Sequence, residues 1–343
     1  MQGILVACLL KDTLLIPHID LGWRFENEGA RSFCGNACWS MKRTIVSKFV
    51  YGEMFVGEIE LSKIAVIGAG LMGTGIAQVV AGAGYPVHVQ DISIDVLDRS
   101  KNKIDHQLKK LVNKQKLSEK AAKEVMDRIA FTVTLGAAVE DADFIIEAVP
   151  EVLELKKKVF SEMEGIATSS AIFASNTSEH SIASIADATS RKERVIGTHW
   201  FFPPQLMKLI EVVVSPTTSQ DTLETTIAFC KKLGKETVIC KDAQGFITSR
   251  AISAMIAECL RIYQEGIASV EDIDKAMRLG FNHPIGPFQL TDMSGVDVVY
   301  HSLESLTKVY GDRFKPSEAL SELIESRNLG QKTGKGFYDY RSR

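Results

Sequence analysis

A chain of 343 residues, 45% of them hydrophobic and 24% charged, is long enough for about two domains with sizeable cores. Its formal net charge of -3 offers no field for nucleic acid. No apolar run approaches the roughly 20 residues that cross a bilayer, so small molecules are the expected partners. The six cysteines (Cys8, Cys34, Cys38, Cys230, Cys240 and Cys259) are scattered through a chain too large to need covalent staples. They read as free thiols in a reducing, cytoplasmic compartment. Cys34-Gly-Asn-Ala-Cys38 has no second cysteine or histidine pair to answer it, so no metal is expected.

Residues 1–61 hold one short apolar run (Gly3 to Leu10), mixed charges and no clear period. The run lacks a basic leader, and seven acidic against six basic residues argue against a transit peptide. The expectation is an N-terminal extension peripheral to the fold, or one preceding a translation start at Met41 or Met54. From Lys63 the texture changes. The apolar run Ile64 to Ile67 leads into Gly68-Ala-Gly70-Leu71-Met72-Gly73 and then into a pattern in which Ile76, Val79, Val80 and Ala83 recur at helical spacing. A strand, three glycines and a helix in that order form a dinucleotide-binding turn. Gly68 permits the tight turn, Gly70 lets backbone amides approach a pyrophosphate, and Gly73 allows helix and strand to pack closely. The phosphates then sit at the positive end of the helix. A second strand, Val87 to Gln90, delivers Asp91, 18 residues after Gly73, the spacing at which a carboxylate meets the adenosine ribose. That carboxylate repels a 2′-phosphate and no arginine follows it closely, so NAD is expected over NADP.

A polar helix pair comes next, Ile94 to Lys114 and Ser118 to Ile129, followed by alternating short strands and helices that mark a parallel sheet. The strands expected are Phe131 to Val133, Phe144 to Val149, Ala171 to Ser175, Val195 to His199, Leu209 to Val214 and Thr237 to Cys240. Between them lie helices at Leu153 to Ile166 and Asp221 to Leu233. From Gly245 onward strand signals vanish. Helical patterns run over Phe246 to Glu265, Val270 to Leu279, Val296 to Tyr310 and Ser317 to Ser326, with Pro284, Gly286 and Pro287 as punctuation. The expected fold is α/β, a doubly wound Rossmann-type sheet domain over residues 62–242. An all-helical C-terminal domain over 243–343 would close the cleft, hold substrate or dimerise.

His199 ends an apparent sheet strand, and the carboxyl ends of strands are where doubly wound folds bind ligands. Glu211 follows twelve residues later on the next strand, across a short connection containing Pro203 and Pro204. Adjacent strands would set imidazole and carboxylate side by side, a general base with an orienting anion. By itself a lone strand-end histidine is as readily a structural residue.

Taken together, the chain resembles the L-3-hydroxyacyl-CoA dehydrogenases, the 3-hydroxybutyryl-CoA type in particular. The likeness runs from Ser62 to Tyr340 through Gly68-Ala-Gly-Leu-Met-Gly, Ile146-Glu-Ala-Val-Pro-Glu, Ala174-Ser-Asn-Thr-Ser, Gly197-Thr-His-Trp-Phe, Met207-Lys-Leu-Ile-Glu-Val, Asp242-Ala-Gln-Gly-Phe, Glu271-Asp-Ile-Asp-Lys-Ala-Met, His283-Pro-Ile-Gly-Pro and Lys332-Thr-Gly-Lys-Gly-Phe-Tyr. The resemblance implies NAD-dependent oxidation of a short-chain (3S)-3-hydroxyacyl-CoA by a homodimer of fatty-acid and butanoate metabolism. It makes His199 the base, Glu211 its orienting partner and Ser178 a hydroxyl contacting both substrate oxygen and the nicotinamide region. For Ser178 the alternative is an N-cap of the Ile182 to Ala186 segment. The resemblance places Glu151, Lys156 and Lys332 at the dinucleotide. Lys114 would meet a phosphate of coenzyme A on the lysine-rich helix, with Gln107 where the family can use a serine. For these charged residues the alternative is a solvated face.

Two departures stand out. His199-Trp-Phe-Phe-Pro replaces the usual His-Phe-Phe-Asn-Pro, putting Phe202 where an Asn would touch the nicotinamide side. Gly245-Phe-Ile-Thr-Ser-Arg puts Ser249 where an Asn would meet substrate. Two rival readings follow: an NAD-dependent dehydrogenase of a free hydroxy or sugar acid, similar to gulonate dehydrogenase and lambda-crystallin, and a non-catalytic dinucleotide-binding scaffold.

Overall fold

The computed structural model describes residues 61–341. The expected extension, with Cys8, Cys34 and Cys38, lies outside the described residues. The sheet domain runs β1 (Ile64–Ile67), α1 (Leu71–Gly82), β2 (Val87–Gln90), α2 (Ile94–Asn113), α3 (Glu119–Asp127), β3 (Ile129–Thr132), α4 (Leu135–Val139), β4 (Phe144–Glu147), α5 (Leu153–Glu164), β5 (Ile172–Ser175), α6 (Ile182–Ala186), β6 (Val195–Trp200), β7 (Leu209–Val214), α7 (Gln220–Lys232) and β8 (Glu236–Lys241). Five helices follow: α8 (Thr248–Gln264), α9 (Val270–Gly280), α10 (Pro287–Ser294), α11 (Val296–Tyr310) and α12 (Glu318–Glu325).

The eight strands lie in the order β3-β2-β1-β4-β5-β6-β7-β8. All neighbours are parallel except β6 and β7. The central strands are buried on both faces, which is why β1 reads Ile-Ala-Val-Ile and β4 Phe-Ile-Ile without alternation. One apolar cluster lies under α1, α2 and α7, with Ile76, Ile104 and Phe229; the other, with Phe160, Met163 and Ile185, lies under α5 and α6. Strand order reverses between β1 and β4, and that switch point opens the crevice in which such sheets bind ligands.

Helix starts follow a common chemistry. Ser93, Ser118, Ser181, Ser219, Ser269 and Ser317 each accept a hydrogen bond from the amide three residues on, satisfying a donor that the first turn leaves orphaned. The N-cap of α6 is therefore Ser181, which removes the capping alternative for Ser178.

The short β6–β7 connection makes that one pair antiparallel, because a parallel return needs a crossover of a dozen or more residues. Near Ile129 the boundary shifts: α3 stops at Asp127 and Ile129 already begins β3. The short helix α4 has no sequence signal in the reading above. Pro287, taken from sequence as punctuation, instead starts α10, where its fixed φ and missing N–H suit the first helical turn.

Buried carboxylates organise the helical domain. Asp274, 2% exposed, accepts from the Phe288 amide at 2.8 Å, the Gln289 amide at 3.0 Å and the Tyr338 hydroxyl at 2.9 Å. Asp292 accepts from the Phe337 and Tyr338 amides at 2.9 Å and from the Tyr340 hydroxyl at 3.1 Å. A Cβ at Gly286 would fall 2.2 Å from Asp274, and one at Gly336 2.0 Å from Asp292. The Pro-Ile-Gly-Pro and Gly-Lys-Gly-Phe blocks thus serve this architecture.

The glycines of the nucleotide turn separate into structural and open positions. Gly68 has φ +98, and a Cβ there would lie 2.7 Å from the Ala148 carbonyl oxygen. At Gly73 a Cβ would lie 1.7 Å from the Gly68 carbonyl oxygen, whereas at Gly70 it would meet nothing within 4 Å. Gly73→Ala is expected to cost about 1–3 kcal/mol or more in urea unfolding, because backbone must move. Gly70→Ala should stay within about 0.5 kcal/mol of wild type and instead weaken NAD binding by calorimetry. Equal stabilities for the two variants would contradict this division.

Candidate active site

A cleft of 1060 Å³ runs along the carboxyl ends of the central strands. At one end lie Gly68, Gly70, Leu71, Met72 and Asp91; at the other Glu151, Asn176, Ser178, His199 and Phe202. Gly70 caps α1, so the first-turn amides and the positive helix end face this space. Asp91 Oδ2 accepts from the Ala69 amide at 3.0 Å and Oδ1 from the Ser93 amide at 3.1 Å. The carboxylate thereby fixes the glycine turn and keeps further lone pairs for hydroxyls. An open Gly70 cradle, a helix N-terminus and a carboxylate at the end of β2 fit NAD, and among the described residues no lysine or arginine lines the cleft to meet a 2′-phosphate.

At the other end, His199 and Glu211 are register partners across the antiparallel β6–β7 pair. The Nδ1 of His199 lies 2.7 Å from Glu211 Oε2. A carboxylate only accepts, so the proton on that edge belongs to Nδ1, and Nε2 is left as the basic nitrogen. The imidazole packs against Phe201 and Phe246, with ring centroids at 4.6 Å and 5.8 Å. Those rings fix its orientation and exclude water from its sides.

Glu211 is 0% exposed and fully engaged. Besides the imidazole it receives the Thr248 amide at 2.8 Å, the Ile247 amide at 3.2 Å and the Thr248 hydroxyl at 3.0 Å. These amides open α8, so the positive end of the helical domain's first helix rests on the carboxylate. Gly245 and Phe246, both at positive φ (+75 and +47), turn the chain from sheet to helix there. Burial pushes the Glu211 carboxyl up, but the His199 and Thr248 hydrogen bonds outweigh it and hold it below the usual carboxylate value.

A second charged cluster braces the loop carrying Ser178. Lys156, 1% exposed, sits 2.8 Å from Glu147 and 3.0 Å from Glu151. Glu147 also accepts from the Val149 amide at 2.8 Å and the Ser175 hydroxyl at 2.6 Å. Glu151 accepts from the Ser178 amide at 2.9 Å, the Glu179 amide at 3.3 Å and the Thr177 hydroxyl. For Glu151 burial again acts upward, and Lys156 with these donors wins, leaving the carboxyl below its ordinary value. Lys156 is thus no surface charge: it lies behind the cleft wall and reaches the cleft through Glu151.

The remaining residues singled out from sequence stand apart from the cleft. Lys332 pairs with Asp297 in the helical domain. Lys114 is exposed at the end of α2. Ser249 lies on the first turn of α8, beside the Thr248 that holds Glu211. Gln107 accepts from the Gln205 amide at 3.0 Å. Sequence reasoning assigned no role to Glu147, Asn176 or Thr248. The signal for Glu147 was an acid ending the wholly apolar strand Phe-Ile-Ile; Thr248 carried none, since its partner lies 37 residues away.

Comparison with known proteins bears on the same elements. A family model described as 3-hydroxyacyl-CoA dehydrogenase, NAD binding domain, matches residues 63–243, and the C-terminal domain of the same family matches 245–340. The chain belongs to the 3-hydroxyacyl-CoA dehydrogenase family. It is 39% identical to a mitochondrial hydroxyacyl-coenzyme A dehydrogenase of Rattus norvegicus over 83% of this chain and 93% of that protein. It is 38% identical to a probable 3-hydroxybutyryl-CoA dehydrogenase of Bacillus subtilis (strain 168), over 82% and 98%. Among solved structures, (S)-3-hydroxybutyryl-CoA dehydrogenase from Ralstonia eutropha superposes with a TM-score of 0.80 at 36% identity, covering 82% of this chain and 99% of that one.

The lowered Glu211 carboxyl has a consequence for stability. A carboxyl held lower in the folded state than its ordinary 4.5 stabilises the fold fully above that value, and the contribution fades as pH falls through the folded value. Thermal unfolding should therefore show a stability gap between wild type and Glu211→Gln that is widest near neutral pH and narrows below 4.5. A gap that stays constant into acid would contradict this.

Proposed function

We propose that this chain interconverts a (3S)-3-hydroxyacyl-CoA and its 3-oxoacyl-CoA with NAD, and that His199 is the general base, oriented by Glu211. The observation that carries the assignment is the 2.7 Å His199–Glu211 pair at one end of a cleft whose other end is the glycine turn. NAD, when bound, supplies the hydride acceptor that balances the alcohol's loss of a proton. Gly68, Gly70, Leu71, Met72, Gly73 and Asp91 would form its seat, the first-turn amides of α1 serving the pyrophosphate and Asp91 the ribose.

In the oxidising direction His199 Nε2 takes the proton of the 3-hydroxyl. The Nδ1–H stays on the ring and bonded to Glu211, whose negative charge steadies the imidazolium. In the reverse direction Nε2 returns the proton to the oxygen. The Ser178 hydroxyl donates to the same oxygen, held in place because Glu151 fixes its amide. Lys156 positions Glu151. Lys114 receives a phosphate of coenzyme A.

A short acyl chain fits Phe202, an aromatic wall at the catalytic end in place of an amide. Free thiols at Cys230, Cys240 and Cys259 suit a reducing setting such as the cytoplasm. Exposed Ile267, Leu279 and Phe281 on the helical domain suit association of two copies.

His199→Gln should lower kcat about 10²- to 10⁴-fold while leaving NAD affinity near wild type. Normal turnover would remove the base assignment. Lys114→Ala should raise KM for acetoacetyl-CoA in NADH oxidation, with kcat and any activity on a free 3-hydroxy acid unchanged. Efficient oxidation of the free acid without reduction of the thioester would favour the free-acid reading.

A further inference from the structure

The β6–β7 connection, residues 201–208, lines the cleft with Phe202 and is held from two sides and by its own internal turn. From α1 and α2, the Gln205 side-chain amide donates to Gln78 Oε1 at 2.9 Å and Gln107 Oε1 at 3.0 Å. Within the loop, the Leu206 and Met207 amides both donate to the Pro203 carbonyl, at 2.9 Å and 3.1 Å. From the α7–β8 turn, Lys235 Nζ donates to the Pro204 carbonyl at 2.5 Å and the Met207 carbonyl at 2.7 Å. The same ammonium stands 5.4 Å from the centre of the Trp200 ring, the residue next to His199.

Lys235 is unlike the lysines around it. Lys231 and Lys232 are exposed, whereas Lys235 is half-buried and has no carboxylate within salt-bridge distance among the described residues. Its backbone is fixed by the end of α7, where Gly234 turns at φ +71 and the Lys235 amide returns to the Cys230 carbonyl at 3.0 Å. A cation spanning two carbonyls of one loop and an indole face defines where that loop lies. The loop also packs tightly on α1: a Cβ at Gly75 would come within 2.8 Å of Pro204. Yet Phe202 itself is 59% exposed, so its position comes from the backbone anchors and not from burial of the ring.

We propose that Lys235 is a positioning residue that sets acyl selectivity: by clamping the Pro204 and Met207 carbonyls it holds Phe202 as a fixed wall at the catalytic end of the cleft. The assignment rests on the dehydrogenase reading and adds to it a residue outside the cleft. Removing the ammonium while keeping the stem, as in Lys235→Met, frees two carbonyls and lets the wall move, whereas the nucleotide turn and the His199–Glu211 pair keep their own anchors.

The test compares kcat/KM for acetoacetyl-CoA with that for a 3-oxoacyl-CoA of eight carbons in wild type, Lys235→Met, Phe202→Ala and the double variant. Lys235→Met should shift the ratio by about fivefold or more, with KM for NADH unchanged, and the shift should disappear in the Phe202→Ala background. Lys235→Arg should restore part of the wild-type ratio. Hydrogen exchange should quicken at the Leu206 and Met207 amides in Lys235→Met, and Gln205→Ala serves as a second loosened loop should that variant fold poorly. An unchanged ratio, or the same shift with and without Phe202, overturns the proposal. A wild-type protein that reduces no 3-oxoacyl-CoA sinks the dehydrogenase reading instead.

Discussion

A carboxylate with no exposed surface must find its hydrogen-bond donors inside the protein, and Glu211 finds them in two different parts of the fold. One is the neighbouring sheet strand, through His199; the other is the start of α8, through Ile247 and Thr248. An uncompensated buried carboxylate costs several kcal/mol, so sheet and helical domain are held together at the point where the His199 imidazole is oriented. Orientation of the imidazole and attachment of the second domain are thus one interaction. Phe246 strengthens the joint by entering the apolar cluster of the sheet domain and touching the His199 ring.

The same device recurs wherever a loop must be exact. Glu147 and Glu151 share the buried Lys156 and between them brace the loop bearing Ser178. Asp242 closes the start of α6, accepting from the Ser181 hydroxyl at 2.8 Å and the Ile182 and Ala183 amides at 3.0 Å and 2.8 Å. Asp274 and Asp292 do this in the helical domain, with glycines making room for them. Each carboxylate gathers donors from segments far apart in sequence, and charge-assisted bonds of about 1.5–3 kcal/mol each fix geometry that loop backbone alone would not. Lys235 is the complementary case, a cation that gathers carbonyls.

Much of the sheet was legible because its signals are local. Leu209 to Val214 reads as a strand from an apolar run interrupted only by Glu211, and the glycine turn reads from strand, spacing and helix together. His199 could be placed at a strand end, and Glu211 opposite it, because a short connection dictates an antiparallel return. The helical domain was legible as helices, although α10 was hidden behind its own prolines, since a proline breaks a helix in the interior and starts one at the first turn.

What the sequence by itself determined was therefore the strand, glycine turn and helix that open the sheet domain, the class of fold, and the placing of His199 at a strand end with Glu211 on the neighbouring strand. All of these depend on residues near one another along the chain or on strand periodicity. Only the tertiary structure decided that Lys156 is buried behind the cleft, that Thr248 supports Glu211 and that Lys332 pairs with Asp297. Only it revealed that Phe202 stands on a loop held by Lys235 and, through Gln205, by Gln78 and Gln107. The contacts of Thr248, Lys332 and Lys235 join segments tens of residues apart, and burial, which turns an ordinary charged residue such as Lys156 into an obligatory partner, is a property of the packed molecule and not of any stretch of sequence.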